Sequence, residues 1–199
     1  MTPKTSEVAG SIHAVERALG FGRTDAAFTA RPLACGALTA VCGLAVTQFF
    51  PGLSLGLFAR GTAVLAGCLG GAPVVRVENG WLLGFNRIPV IVTEACSASD
   101  YFAILAGLIA WQLAAQGRRL LSAPLIGLFF SVPLTLGVNA MRVVFVASVH
   151  RWIIPLMPEN CAYFLHQLAG VAVFLPSLIV FNFILETHGR FINRVRIGE

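Results

Sequence analysis

Leu120–Val149 reads LLSAPLIGLFFSVPLTLGVNAMRVVFVASV, thirty residues in which Asn139 and Arg142 alone carry an amide and a charge. At about 1.5 Å per residue such a run makes a helix of roughly 45 Å, longer than the hydrocarbon core of a bilayer. Pro124 and Pro133 lie within it without ending the apolar character. Immediately before it, Gly117, Arg118 and Arg119 form a compact basic stop, which the positive-inside bias assigns to the cytoplasmic side. The far end of the run then projects beyond the lipid on the outer side, with Asn139 and Arg142 near that boundary. Three positions apart, the two share a helix face.

The rest of the chain has the same character. It is 57% hydrophobic and 12% charged with a mean hydropathy of +0.81, too few polar side chains to cover a soluble globule of this size. An all-α polytopic membrane protein of about five transmembrane helices is expected. Apolar runs occupy Pro32–Phe50, Leu53–Gly71, Asp100–Ala115, Leu120–Val149 and Cys161–Leu185. Arg60 in the second either snorkels to an interface or faces a polar partner. The net charge of +5 comes from arginines beside apolar segments rather than in a solvated stripe, so nucleic-acid binding is not expected. Five cysteines show no paired ligand spacing, and neither a metal nor a cofactor is expected.

Three segments flank or interrupt the spans. Residues 1–31 form an N-terminal tail whose amphipathic Val8–Leu19 suits a membrane surface. Residues 32–187 make the transmembrane domain, and 188–199 a basic cytoplasmic tail with Arg190, Arg194 and Arg196. Between the second and third runs, Ala72–Thr93 carries β-branched residues and turn glycines. It reads as an extracytoplasmic β-hairpin turning at Glu78–Gly80 or at Gly84, able to shape a groove for an extended peptide. Parity of five crossings with a cytoplasmic C-terminus places the N-terminus outside, an assignment that a sixth crossing or a re-entrant segment reverses.

The chemistry concentrates in Ile91–Asp100, IVTEACSASD. Thr93, Ser97 and Ser99 are helix-starting residue types, so Cys96 is expected at a helix N-terminus, where the helix dipole favours a thiolate. The alternative is a small buried apolar cysteine. The expected topology brings Cys96, Arg142 and His166 to the outer face on three helices. A thiolate nucleophile needs a base and an oxyanion donor, and His166 and Arg142 are of the right types; His166 bonded to a backbone carbonyl is the competing reading. A Cys96–Cys161 disulfide would end the nucleophile reading.

The blocks E-A-C-S-A-S at Glu94–Ser99, N-A-M-R-V at Asn139–Val143 and H-Q-L-A-G at His166–Gly170 resemble, in that order, the three signature blocks of the exosortase/archaeosortase family. The match spans about the last 110 residues. The chain is short, so the resemblance is to a compact form such as exosortase K. It implies a membrane-embedded cysteine protease or transpeptidase in the cell (inner) membrane with its active site facing outward. By the same resemblance Cys96 is the nucleophile, Arg142 the transition-state stabiliser and His166 the general acid/base, with Asn139 and Ser97 supporting. The implied partners are secreted proteins whose C-termini carry a motif, a transmembrane helix and a basic end. Ala98 and Asp100 depart from the family pattern, which has glycine and then a basic residue shortly after the cysteine. A small transporter and a non-catalytic assembly subunit packed through the Gly61, Ala66 and Gly70 region are the readings from other classes.

Overall fold

The structure, a computed structural model, describes residues 26–85, 88–117, 119–153 and 162–197. Its five helices long and apolar enough to cross a membrane are α1 (Ala26–Phe49), α2 (Pro51–Gly70), α3 (Ser99–Ala115), α4 (Ser122–Ile153) and α5 (Ala162–Ile197). Helix α2 begins as a short α-turn, becomes π-helical over Ser54–Ala59 and is α-helical from Arg60. Helix α5 continues through the basic C-terminal segment to Ile197. The N-terminal segment expected at a membrane surface lies almost wholly outside the described residues.

Ala72–Thr93 forms a three-stranded antiparallel meander, β1 (Val74–Val77), β2 (Gly80–Phe85) and β3 (Ile88–Val92), rather than a single hairpin. The first reversal falls at Glu78–Gly80. Gly84 is no turn; it sits inside β2 opposite Pro89. Proline lacks an N–H, and β3 is the edge strand that tolerates it. Left-handed Gly71 (φ 62°) ends α2 and turns the chain into the sheet, with Ala72 N–H donating to Gly67 O at 2.9 Å.

Contacts fix the directions of the helices. A methyl on Gly36 would lie 2.7 Å from Trp111 Cβ and one on Gly43 3.3 Å from Ala103, so α1 runs antiparallel to α3. A methyl on Gly127 would lie 2.6 Å from Ala106 O, and α4 returns along α3. Tyr101 to Ser177, Gln112 to Asn182 and Gln116 to Leu185 O tie α5 alongside α3 at 2.7, 2.7 and 3.0 Å. Helix α2 does not fold back on α1. It lies instead along the second half of α4, with Gly61 against Leu136, Thr62 bonded to Asn139, and Ala59, Ala63 and Ala66 clustered with Ala140, Val143 and Ala147. It continues the direction of α1.

Two layers result. The lower holds α1, α3, the first half of α4 and most of α5. The upper holds α2, the sheet and the second half of α4, around a core of Leu83, Phe85, Val92 and the helix alanines. Arg60 is exposed and its guanidinium lies 5.6 Å from the Trp81 ring centroid, a cation–π contact with the sheet. The parity argument fails at α2: the chain climbs through α1 and α2 in one direction, so α1 starts at the same end of the molecule as α5 finishes.

Candidate functional site

The seam between the layers holds the cysteine turn. From β3 the chain passes Thr93 into a 3-10 turn, Glu94–Cys96, closed by Cys96 N–H to Thr93 O at 3.0 Å and Ser97 N–H to Glu94 O at 2.9 Å. Ala98 then adopts left-handed backbone, φ 57° and ψ 31°, and caps α3 with its carbonyl, which accepts from Phe102 N–H at 2.9 Å. No Ser or Thr side chain caps this helix, contrary to the sequence expectation. Cys96 therefore lies just before the N-cap rather than in the first turn. Ala98 is the one non-glycine residue at positive φ among the described residues. Left-handed backbone is the conformation that glycine adopts most readily, and alanine holds it here.

Asn139 anchors this turn from α4. It is fully buried, and its Nδ2 donates to Cys96 O at 2.6 Å and to Thr62 Oγ1 at 3.0 Å. One side chain thus joins α4, α2 and the cysteine turn, across 43 residues on one side and 77 on the other. On the sulfur side, the Thr93 hydroxyl donates to Cys96 Sγ at 3.9 Å.

Arg142, three residues on, is 8% exposed. It lies within electrostatic reach of Cys96, and its guanidinium carbon is 5.2 Å from the Phe174 ring centroid on α5. A methyl on Gly170 would lie 3.5 Å from Arg142 Nε, so α5 crosses the arginine at that level. The backbone of His166 lies one helical turn from Gly170 toward the upper end of α5; its side chain, and Cys161 with the disulfide it was considered for, lie outside the described residues.

Arg142 also walls a cavity of about 690 Å³ that opens between the end of α1 and α5. Glu94, Ser97, Asp100 and Tyr101 line its upper part, and Ile104, Phe174, Leu175 and Leu178 its lower part. Ser97 is 3% exposed and forms part of the wall. The residues on either side of Cys96 line the cavity, while the cysteine packs partly against the upper-layer core. Of the five sequence candidates, Cys96, Ser97, Asn139 and Arg142 converge here.

Thr62 and Phe174 complete the surroundings and carry no sequence signal, because a threonine or phenylalanine within an apolar run is ordinary; Thr93, read from the sequence as a helix starter, serves instead as the donor to the Cys96 sulfur. Among the described residues no cluster of His, Cys, Asp or Glu could hold a metal ion. Comparison with family models, curated proteins and solved structures returns no match to this chain.

Proposed function

We propose that the chain is a multi-pass membrane cysteine protease or transpeptidase that cleaves C-terminal sorting tails of secreted proteins, with the seam facing the extracytoplasmic side of the cell membrane. The observation that carries this reading is the Asn139 clasp on the Cys96 carbonyl, beside a buried arginine on the wall of a cavity. An arginine inside an apolar helix is costly and tends to face a cavity or substrate path.

In this mechanism the tail lies in the cavity, and Cys96 turns about its χ1 from the upper-layer core toward the wall that its neighbours line. The thiolate attacks a backbone carbonyl carbon. Arg142 stabilises the oxyanion with its planar fork of N–H donors. His166, supplied by α5, takes the proton of the Cys96 thiol and passes it to the departing amine as the tetrahedral intermediate collapses and the C–N bond breaks, leaving a thioester on Cys96. Water then releases an acid, or an amine or hydroxyl acceptor takes the acyl group. Asn139 holds the backbone of the nucleophile, and Ser97 supports the wall.

The test is co-expression with a secreted protein ending in an apolar helix and a basic end. A hydroxylamine-sensitive adduct on Cys96, seen by intact mass and absent from Cys96→Ala, is expected. Arg142→Lys, which keeps the charge and loses the fork, should lower cleavage by about 100-fold or more. Cleavage that survives Cys96→Ala, or parent-level activity in Arg142→Lys, would overturn the assignment.

A further inference from the structure

Among the buried polar atoms near the site, Thr135 Oγ1 and Asn139 Oδ1 each have no hydrogen-bond partner among the described residues, on side chains that are 0% exposed. They are one helical turn apart on α4. Helical side chains lean toward the N-terminus, so the Asn139 carboxamide overlies the turn that holds Thr135. Both Asn139 N–H donors are engaged, on Thr62 and Cys96 O, so its Oδ1 can only accept. The usual outlet for a helical hydroxyl is the carbonyl one turn back, as Thr39, Ser148 and Thr187 show at 2.8 Å each. Thr135 does not take it.

We propose that a buried water bridges Thr135 Oγ1 and Asn139 Oδ1, and that Thr135 acts through it as a positioning residue for the Cys96 turn. A water donates one hydrogen to the carboxamide oxygen and shares its second bond with the hydroxyl, the pairing that buried waters commonly make with otherwise unsatisfied groups. The bridge fixes the amide orientation. A flipped Asn139 would present its oxygen to the Cys96 carbonyl oxygen and lose the 2.6 Å bond. The inference concerns the geometry of the turn and does not rest on the peptidase reading.

The test is a double-mutant cycle on the full chain in detergent micelles, with Thr135→Val, Asn139→Leu and both together. Each single change strands the other group of the bridge, whereas the double variant removes both; the lost bonds to Thr62 and Cys96 O are common to Asn139→Leu and the double variant and cancel in the cycle. The double variant should exceed the additive expectation by about fivefold or more in the unfolding equilibrium constant. Additivity would overturn the bridge. Positioning is read separately, from the rate at which a thiol reagent labels Cys96. Thr135→Val should change that rate by about tenfold, while Thr135→Ser, which keeps the hydroxyl, stays within about twofold. An unchanged rate in the valine protein would reduce Thr135 to a structural residue; should that protein not fold, Thr135→Ala takes its place in both measurements.

Discussion

The two layers are held together by different means. In the lower layer helices approach until backbone meets backbone: a methyl on Gly107 would lie 2.8 Å from Gly36 O, and one on Gly127 2.6 Å from Ala106 O. Side-chain hydrogen bonds such as Gln112 to Asn182 tie the remaining helix on. In the upper layer a sheet covers an alanine-lined helix pair, and Leu83, Phe85 and Val92 fill the space between. In lipid no hydrophobic drive holds helices together, and close packing with polar bonds replaces it; in water apolar burial does the work. The lower layer is packed in the first way, and the sheet with the α2–α4 pair in the second. Asn139 lies about 25 Å along α4 from its start, close to the thickness of a hydrocarbon core. The cysteine turn packs at that level of α4.

The comparison is most severely tested in the lower layer. Gly107→Val should abolish the folded protein in detergent, because its β-carbon meets a helix backbone that cannot yield. Gly137→Ala, with nothing within 4 Å of the added methyl, serves as the silent control. Thermal unfolding followed by size-exclusion chromatography reads both. A folded, parent-like Gly107→Val protein would remove the close-packing account.

In the upper layer Leu83 is 0% exposed, and Leu83→Ala should cost about 2–5 kcal/mol through lost burial and the cavity left behind. The loss should be local. Amide hydrogen exchange is expected to accelerate in β1–β3 and along α2 while the α1–α3 contact keeps its protection. Uniform acceleration through both layers would show that they unfold as one unit.

Much of this architecture is legible in the chain. Apolar run lengths give the five long helices, and the β-branched residues with turn glycines of Ala72–Thr93 mark the segment that forms strands. The direction of α2 is not legible. Pro51 and Gly52 look like the turn of a helical hairpin, yet Phe50 N–H still donates to Val46 O and Leu53 N–H to Phe50 O, so the helix resumes instead of reversing. Counting crossings by parity assumes a reversal at every break. At the site, the order of the three blocks is visible in the sequence, but Thr62 is a commonplace residue whose role arises only from the juxtaposition of distant segments. Alanine gives no hint of left-handed backbone either.

The smallest effect is expected at the seam itself. Ala98→Gly removes the Cβ strain at φ 57° and should raise stability by about 1 kcal/mol, the left-handed penalty of a non-glycine residue less the added freedom of the unfolded chain. Chemical denaturation in micelles measures it, and a loss of stability would mean that the alanine methyl contributes packing that offsets its strain.

The most direct measurement is the labelling of native cysteines in sealed membranes by a membrane-impermeant thiol reagent added from the extracytoplasmic side. Cys68 on α2 is exposed, Cys35 lies near the lower end of α1 where its thiol reaches Leu120 O at 3.8 Å, and Cys96 is half-buried. The account predicts that Cys96 labels faster than the more exposed Cys68, that Cys35 is protected, and that Arg142→Gln removes the advantage of Cys96. Labelling of Cys96 slower than that of Cys68 with or without Arg142, or labelling of Cys35 with Cys68 protected, would contradict it.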